Sequence, residues 1–327
     1  MAQPQQLGRY TIETTIVEGP NNIIYKGYDS LQSRIVSLKT VRTGHLNSSL
    51  GLRLIERLHW ESLLGARVSH PNIVEVYDYS SGEGQPFLVM EYLEGESLKE
   101  IFRQKKHFEL PEIVNITRQV LAALGDVHQA GIVHRDIKPG NIILDSAVVR
   151  KSLAQPLNSP GKLEKSPTTN KVTSVFSDSP DKPICCTINA RPTAESRTLP
   201  IDRGLVKISD FGIACMVGEE PTQSSRVVGT PSYMAPEQVF GTKIDGRCDL
   251  FSVGTILYEL ISGQKPFIAS DNNSIMQQIL TGQPARPSSL NSSIPKAIDS
   301  IVGKAMAKRP SERFQSVEEF LAALNQI

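Results

Sequence analysis

The chain has 327 residues, 39% of them hydrophobic and 21% charged, enough to bury a sizeable core and unlike a fibrous or wholly disordered composition. Its 35 Lys plus Arg balance 34 Asp plus Glu, and the formal charge of +1 argues against nucleic acid or an anionic membrane surface as the main partner. Four cysteines without paired metal-type spacing exclude a disulfide scaffold, argue against a zinc ribbon and fit a reducing, cytoplasmic compartment.

Residues 1–9 carry no apolar signal-peptide core and read as a polar tail. Three short runs follow, 10–17, 23–26 and 34–41, rich in β-branched or aromatic residues and punctuated by Gly, Asn or Asp, which predicts strands. Residues 50–68 switch to helical spacing, with Leu54, Leu58, Glu61, Leu64 and Gly65 three or four apart. Two more strands are predicted at 73–79 and 87–92. Beyond Glu94 the chain turns helical, with helices predicted over 112–129, 245–262, 273–280, 295–308 and 317–325. The most apolar stretch, 250–261, contains Glu259 and is too short for a bilayer, so no membrane insertion is expected. A small β-rich part followed by a larger helical part predicts an α+β fold in two lobes. Residues 146–204 break the order: they are rich in Ser, Thr, Pro and Lys, include Ser159-Pro160, Ser166-Pro167 and Ser179-Pro180, and keep no period. They read as a disordered insertion, the alternative being a loop packed through Val172, Val175, Phe176 and Ile184.

Phosphoryl transfer needs a terminal phosphate in line with an acceptor hydroxyl, metal ions to neutralise its charge, and a carboxylate near the hydroxyl proton. Three segments offer such groups in order. They are His134-Arg135-Asp136-Ile137-Lys138-Pro139-Gly140-Asn141, then Asp210-Phe211-Gly212 after the strand-like Val206-Lys207-Ile208-Ser209, then Gly229-Thr230-Pro231-Ser232-Tyr233-Met234-Ala235-Pro236-Glu237. Any one alone is weak. Together they are specific, because independent surface charges would not fall at these spacings. With these residues the chain resembles the eukaryotic-like (Hanks-type) Ser/Thr protein kinases. His70-Pro71-Asn72-Ile73-Val74 and the run 210–214 look most like the bacterial branch.

The resemblance implies a kinase domain over about 10–325, its N-lobe ending near 92 and its C-lobe starting near 93. It implies ATP as phosphate donor, Mg²⁺ as cofactor with Mn²⁺ as a substitute, a protein substrate with a Ser or Thr acceptor, and autophosphorylation in intracellular signalling. It also leaves room for a homodimer in activation. By resemblance, Asp136 orients the acceptor hydroxyl and takes its proton, Asn141 and Asp210 ligate metal, and Lys138 neutralises the transferring phosphate. Lys39 holds the nucleotide phosphates and pairs with Glu61, nine residues before His70, while Thr230 packs against the catalytic loop. Val17, Gly19, Ile24, Ser37, Met90 and Ile143 belong to the nucleotide slot, with Glu91 and Leu93 presenting backbone groups to adenine. Glu237 is expected to pair with Arg313, Asp249 to brace the catalytic loop, and His134 to be a core histidine rather than a base.

Departures from the family pattern carry their own expectations. The three glycine positions of the phosphate loop are Val17, Gly19 and Asn22, and Pro20 removes an N–H donor, so the loop should hold nucleotide less tightly. Ser37 puts a hydroxyl over adenine. Gly65 falls where a bulky residue is usual, which predicts a gap behind a loosely held helix and costs that helix about 1 kcal/mol relative to alanine. Arg135 could engage a phosphate on Thr222, Ser224 or Ser225. Two other functions compete: a non-catalytic kinase-fold scaffold, and a small-molecule phosphotransferase. The presence of Lys39, Glu61, Asp136, Lys138, Asn141 and Asp210 favours catalysis, and the 229–237 segment suits a protein substrate.

Overall fold

The computed structural model describes residues 6–46, 48–81, 84–105, 107–145, 206–216 and 231–327. The insertion expected at 146–204, Cys185-Cys186, the candidate acceptors Thr222, Ser224 and Ser225, and Thr230 lie outside the described residues.

A six-stranded antiparallel sheet opens the chain. Its strands are β1 (Gln6–Leu7), β2 (Tyr10–Glu18), β3 (Asn22–Asp29), β4 (Arg34–Val41), β5 (Val76–Ser80) and β6 (Phe87–Glu91), in the order β1-β2-β3-β4-β6-β5. The polar tail expected at 1–9 is corrected at its end: Leu7 is buried and pairs with Tyr10, because it caps the apolar cluster of Tyr10, Tyr25, Val36, Leu38, Phe87 and Val89. Directly opposed residues share a face of a sheet. The rows Val17–Ile24–Lys39–Leu88 and Lys26–Ser37–Met90 therefore lie together on the other face. Alternation along β4 thus puts Val36 and Leu38 in the small core and turns Ser37 and Lys39 toward the rest of the molecule.

Helix α1 (Ser49–Gly65) starts at Ser48, whose hydroxyl accepts from Gly51 N–H at 3.0 Å, and it buries Leu54, Leu58, Glu61 and Leu64. Leu58 meets Leu88 and Tyr79 beneath the sheet. The gap expected at Gly65 is absent. A Cβ on Gly65 would lie 2.7 Å from Val76 Cγ2, so the β5 side chain already occupies that space. Gly65→Leu is therefore expected to destabilise by about 1–3 kcal/mol through overpacking and not to raise basal activity. A thermal or urea unfolding comparison of folded variant and wild type checks this. An unchanged midpoint would restore the gap.

The helical part comprises α2 (Leu98–Arg103), α3 (Leu110–Gln129), α4 (Pro236–Phe240), α5 (Arg247–Ser262), α6 (Asn272–Thr281), α7 (Pro287–Leu290), α8 (Ala297–Ala305) and α9 (Val317–Leu324). All of 248–261 is buried, which accounts for its unbroken apolar run: α5 is surrounded by the lobe rather than lying on its surface. Short strands supply the site: β7 (Gly95–Ser97), β9 (Ile142–Asp145) and β10 (Val206–Ile208) form one sheet, β8 (Ile132–Val133) and β11 (Cys215–Met216) another. The strand expected from residue 73 starts only at Val76. Ile73 instead bridges Ile208 in parallel, joining the two parts of the molecule. Among the described residues no helix is long and apolar enough to cross a membrane.

Candidate active site

Residues 134–141 connect β8 to β9 and are held from below by Asp249, in the first turn of α5. Its buried carboxylate accepts from His134 N–H at 3.0 Å, Arg135 N–H at 2.8 Å and the His128 ring at 2.8 Å. Burial alone would raise the Asp249 carboxyl, but His128 and His134 together outweigh it and hold the group below its ordinary range. The same bonds fix Arg135 at φ 65°, a left-handed conformation that a long side chain adopts only when its surroundings impose it. Arg135 is itself buried, accepts from Gln238 Nε2 on its carbonyl at 2.9 Å, and among the described residues its Nε has no partner. His134 is fully buried against the Phe211 ring at 4.8 Å, and burial lowers its basicity, as suits a core histidine.

Asp136 is half-buried. Its Oδ2 accepts from Lys138 Nζ at 2.6 Å and from Asn141 Nδ2 at 3.0 Å, leaving Oδ1 to accept from an incoming hydroxyl. Asn141 Nδ2 also donates to the Asp136 carbonyl at 2.8 Å, so its amide oxygen is the atom available to a cation. The Asn141 carbonyl in turn accepts from Ser209 N–H at 2.9 Å, which sets the strand leading to Asp210 beside the 134–141 segment.

Asp210 lies two residues beyond the end of β10 and Lys39 is on β4, and their side chains meet at 3.0 Å. The same ammonium donates to both oxygens of Glu61, at 2.9 and 2.7 Å. Burial alone would lower Lys39, but Asp210 and Glu61 outweigh it and hold the ammonium above its usual range. Burial would likewise raise Asp210, yet Lys39 holds its carboxyl far below the ordinary range. Glu61, more deeply enclosed, is pushed up to about 7 by burial against the pull of Lys39. Asp210 sits at φ 71°, and a Cβ on Gly212 would lie 2.9 Å from Asp210 Oδ1, so the glycine admits the carboxylate's return onto its own backbone.

The slot residues are distributed as the strand rows dictate. Val17, Ile24, Ser37, Lys39 and Met90 share one face of the large sheet, Glu91 ends β6, Leu93 follows it half-buried, and Ile143 lies on β9 opposite Lys207. The loop closes as a tight hairpin, with Gly19 N–H donating to the Asn22 carbonyl at 2.9 Å, and no residue of 17–22 has positive φ. The left-handed freedom that Asn22 offers is not used. Pro20 sits at the turn, where its ring stiffens the tip. Of the catalytic, metal and slot residues named from the sequence, only Thr230 lies outside the described residues.

The Protein kinase domain family model matches residues 10–157 and 198–323. This chain belongs to the protein kinase family. Among curated relatives, the kinase domain is 33% identical over 322 residues to the serine/threonine-protein kinase PksC of Streptomyces coelicolor, covering 95% of this chain and 47% of that protein. It is 30% identical to the serine/threonine-protein kinase pkn3 of Myxococcus xanthus, covering 98% and 50%, and 28% identical to PrkC of Bacillus subtilis, covering 96% and 40%. The chain thus spans half or less of the length of these curated relatives, and these similarities place the kinase domain among the Hanks-type bacterial Ser/Thr kinases.

Sequence reasoning missed several residues that shape the kinase site. His128 supports Asp249, Gln238 supports Arg135, and the buried Gln119 and Asn72 join β10 to α3. His128, Gln238 and Gln119 carry no local signal, because each partner is more than forty residues away, and Asn72 showed only as part of the 70–74 run. The start of α2 was legible in principle: Ser97 and Glu100 form a reciprocal capping box, a spacing visible in the sequence.

Proposed function

We propose that the chain transfers the γ-phosphoryl group of ATP to Ser or Thr hydroxyls of protein substrates, itself included, in intracellular signalling. The observation that carries this reading is the Lys39 ammonium held between Glu61 and Asp210, side chains from three elements drawn onto one phosphate-sized cationic point. Asp210 is tied through Ser209 to the segment holding Asp136, Lys138 and Asn141. In this role Lys39 orients the nucleotide phosphates and Glu61 fixes Lys39. Asp136 accepts the hydroxyl proton as the hydroxyl oxygen bonds to the γ-phosphorus and the bridging bond to ADP breaks. Lys138, already on Asp136, follows charge onto the transferred group.

Among the described residues no three or more His, Cys, Asp or Glu side chains cluster as a metal cage. One amide oxygen of Asn141 and one carboxylate oxygen of Asp210 instead suit Mg²⁺, or Mn²⁺, which takes few protein ligands and completes its shell with phosphate and water. When bound, such an ion would neutralise charge on the phosphate oxygens. The apolar side chains of exposed Val17, half-buried Ile24 and Ile143 and buried Met90, with the backbone of Glu91 and Leu93, would receive adenine. On this reading the kinase domain runs over about 10–325, with lobes meeting near 92–93 and an insertion at about 146–204, and works in the cytoplasm.

Transfer of label from ATP in the presence of Mg²⁺ tests the proposal. Lys39→Met is expected to lower autophosphorylation by about 10²–10³-fold, since it removes the charge that orients the phosphates and leaves two carboxylates facing each other. Wild type and variant both at background would favour the scaffold reading.

A further inference from the structure

Lys207 lies on β10, three residues before Asp210, and no part of the phosphate site uses its side chain. Its ammonium donates to Glu91 Oε2 at 2.8 Å and approaches the Ile73 carbonyl at 3.4 Å. Glu91 ends β6, where the chain leaves the large sheet for the helical part, and the same Oε2 accepts from Glu75 N–H at 3.2 Å. Both side chains are largely shielded, 12% exposed for Lys207 and 22% for Glu91, so the pair is screened less than a surface one.

The surroundings are already stitched. Asn72 Nδ2 donates to the Val206 carbonyl at 2.7 Å, Ile208 N–H to the Asn72 carbonyl at 2.8 Å, and Val74 N–H to the Ile208 carbonyl at 2.9 Å. These bonds tie the chain that follows α1, the helix of Glu61, to the strand that delivers Asp210. The Lys207–Glu91 pair extends that tie to the crossing between the lobes, where Glu91 and Leu93 would meet adenine. It exists in the same arrangement in which Lys39 reaches Asp210, and rotation of one lobe against the other would stretch both.

We propose that Lys207 and Glu91 form an interlobe strut that holds the crossing segment in its nucleotide-receiving position. They act as positioning residues through their side chains, neither of which need touch the nucleotide, since Glu91 would meet adenine by its backbone alone. The strut rests on the proposed ATP-binding role of this cleft and adds the residues that set its opening. Without it the crossing would sample wider angles, and nucleotide binding would have to select the closed fraction.

Lys207→Met is expected to raise KM for ATP and the dissociation constant for ADP together by roughly fivefold, with kcat within about twofold of wild type. Lys207→Arg should stay near wild type, and the exchanged pair, Lys207→Glu with Glu91→Lys, should recover most of the loss. A merely structural role would lower the unfolding midpoint without this split or this rescue. If Lys207→Met fails to fold, Lys207→Gln, which removes the charge and leaves residue 91 unchanged, carries the same comparison. A folded variant with wild-type KM and ADP affinity, or with raised kcat, overturns the strut. ADP affinity is read by calorimetry without turnover. A wild-type chain that binds ADP but transfers no phosphate would therefore sink the proposed activity and leave the strut testable, whereas no ADP affinity at all would overturn both.

Discussion

Asp136→Asn is expected to lower kcat by about 10²–10⁴-fold while leaving KM for ATP and the unfolding midpoint nearly unchanged. The substitution keeps the size of the side chain and an oxygen that can accept from Lys138 and Asn141, which now contact Oδ2 at 2.6 and 3.0 Å. It removes the negative charge and the basic oxygen that would take the hydroxyl proton. The backbone of the segment is held independently, by Asp249 on His134 and Arg135 and by Asn141 on the Asp136 carbonyl, so geometry should survive. Steady-state kinetics with a protein substrate, beside a thermal melt, separates the two effects. A folded variant with unchanged kcat would take the proton-acceptor role away from Asp136. A variant that lost ATP affinity in proportion would make the residue part of nucleotide binding instead.

What the sequence reveals about this site, and what it hides, follows from the range of each interaction. The 134–141 segment and Asp210 with Gly212 were legible as chemistry-bearing groups at short local spacings, whereas Lys39 was legible only through the family resemblance. The strand at 34–41 was legible too, and its alternation in the sheet turns Lys39 away from Val36 and Leu38. Gly65 was misleading: a missing side chain is visible in the sequence, but the Val76 methyl that fills its place comes from another strand. Leu7 was hidden in the same way, since two polar neighbours masked a residue buried only by the sheet beside it. The left-handed backbone at Arg135 and Asp210 has no compositional signal at all, being imposed by Asp249 and by Lys39 with Gly212 N–H. Lys207 reads as an ordinary charge in a strand, and its partner lies 116 residues away.

The largest stability effect is expected from Arg313→Leu, a loss of about 3–5 kcal/mol on removing one partner of a buried ion pair. Arg313 is fully enclosed and uses all five of its N–H donors. Two go in parallel to Glu237, at 2.7 Å each, and the others go to the carbonyls of Ala307 at 2.8 Å, Lys308 at 3.0 Å and Arg247 at 3.1 Å. Its guanidinium also lies 4.9 Å from the Phe251 ring centre. Leucine would leave the buried Glu237 charge and three carbonyls unanswered, whereas Glu237→Leu with Arg313→Leu removes the orphaned charge and should be less destabilised than Arg313→Leu alone. Urea unfolding of the three proteins checks the order. A double variant as unstable as Arg313→Leu would place the cost in the carbonyls rather than in the ion pair. The consequence should reach the site: the Arg247 carbonyl belongs to the first turn of α5, two residues before the Asp249 that holds His134 and Arg135. Even where Arg313→Leu remains folded, its kcat should therefore fall below that of wild type, because the brace under Asp136 loses its own anchor.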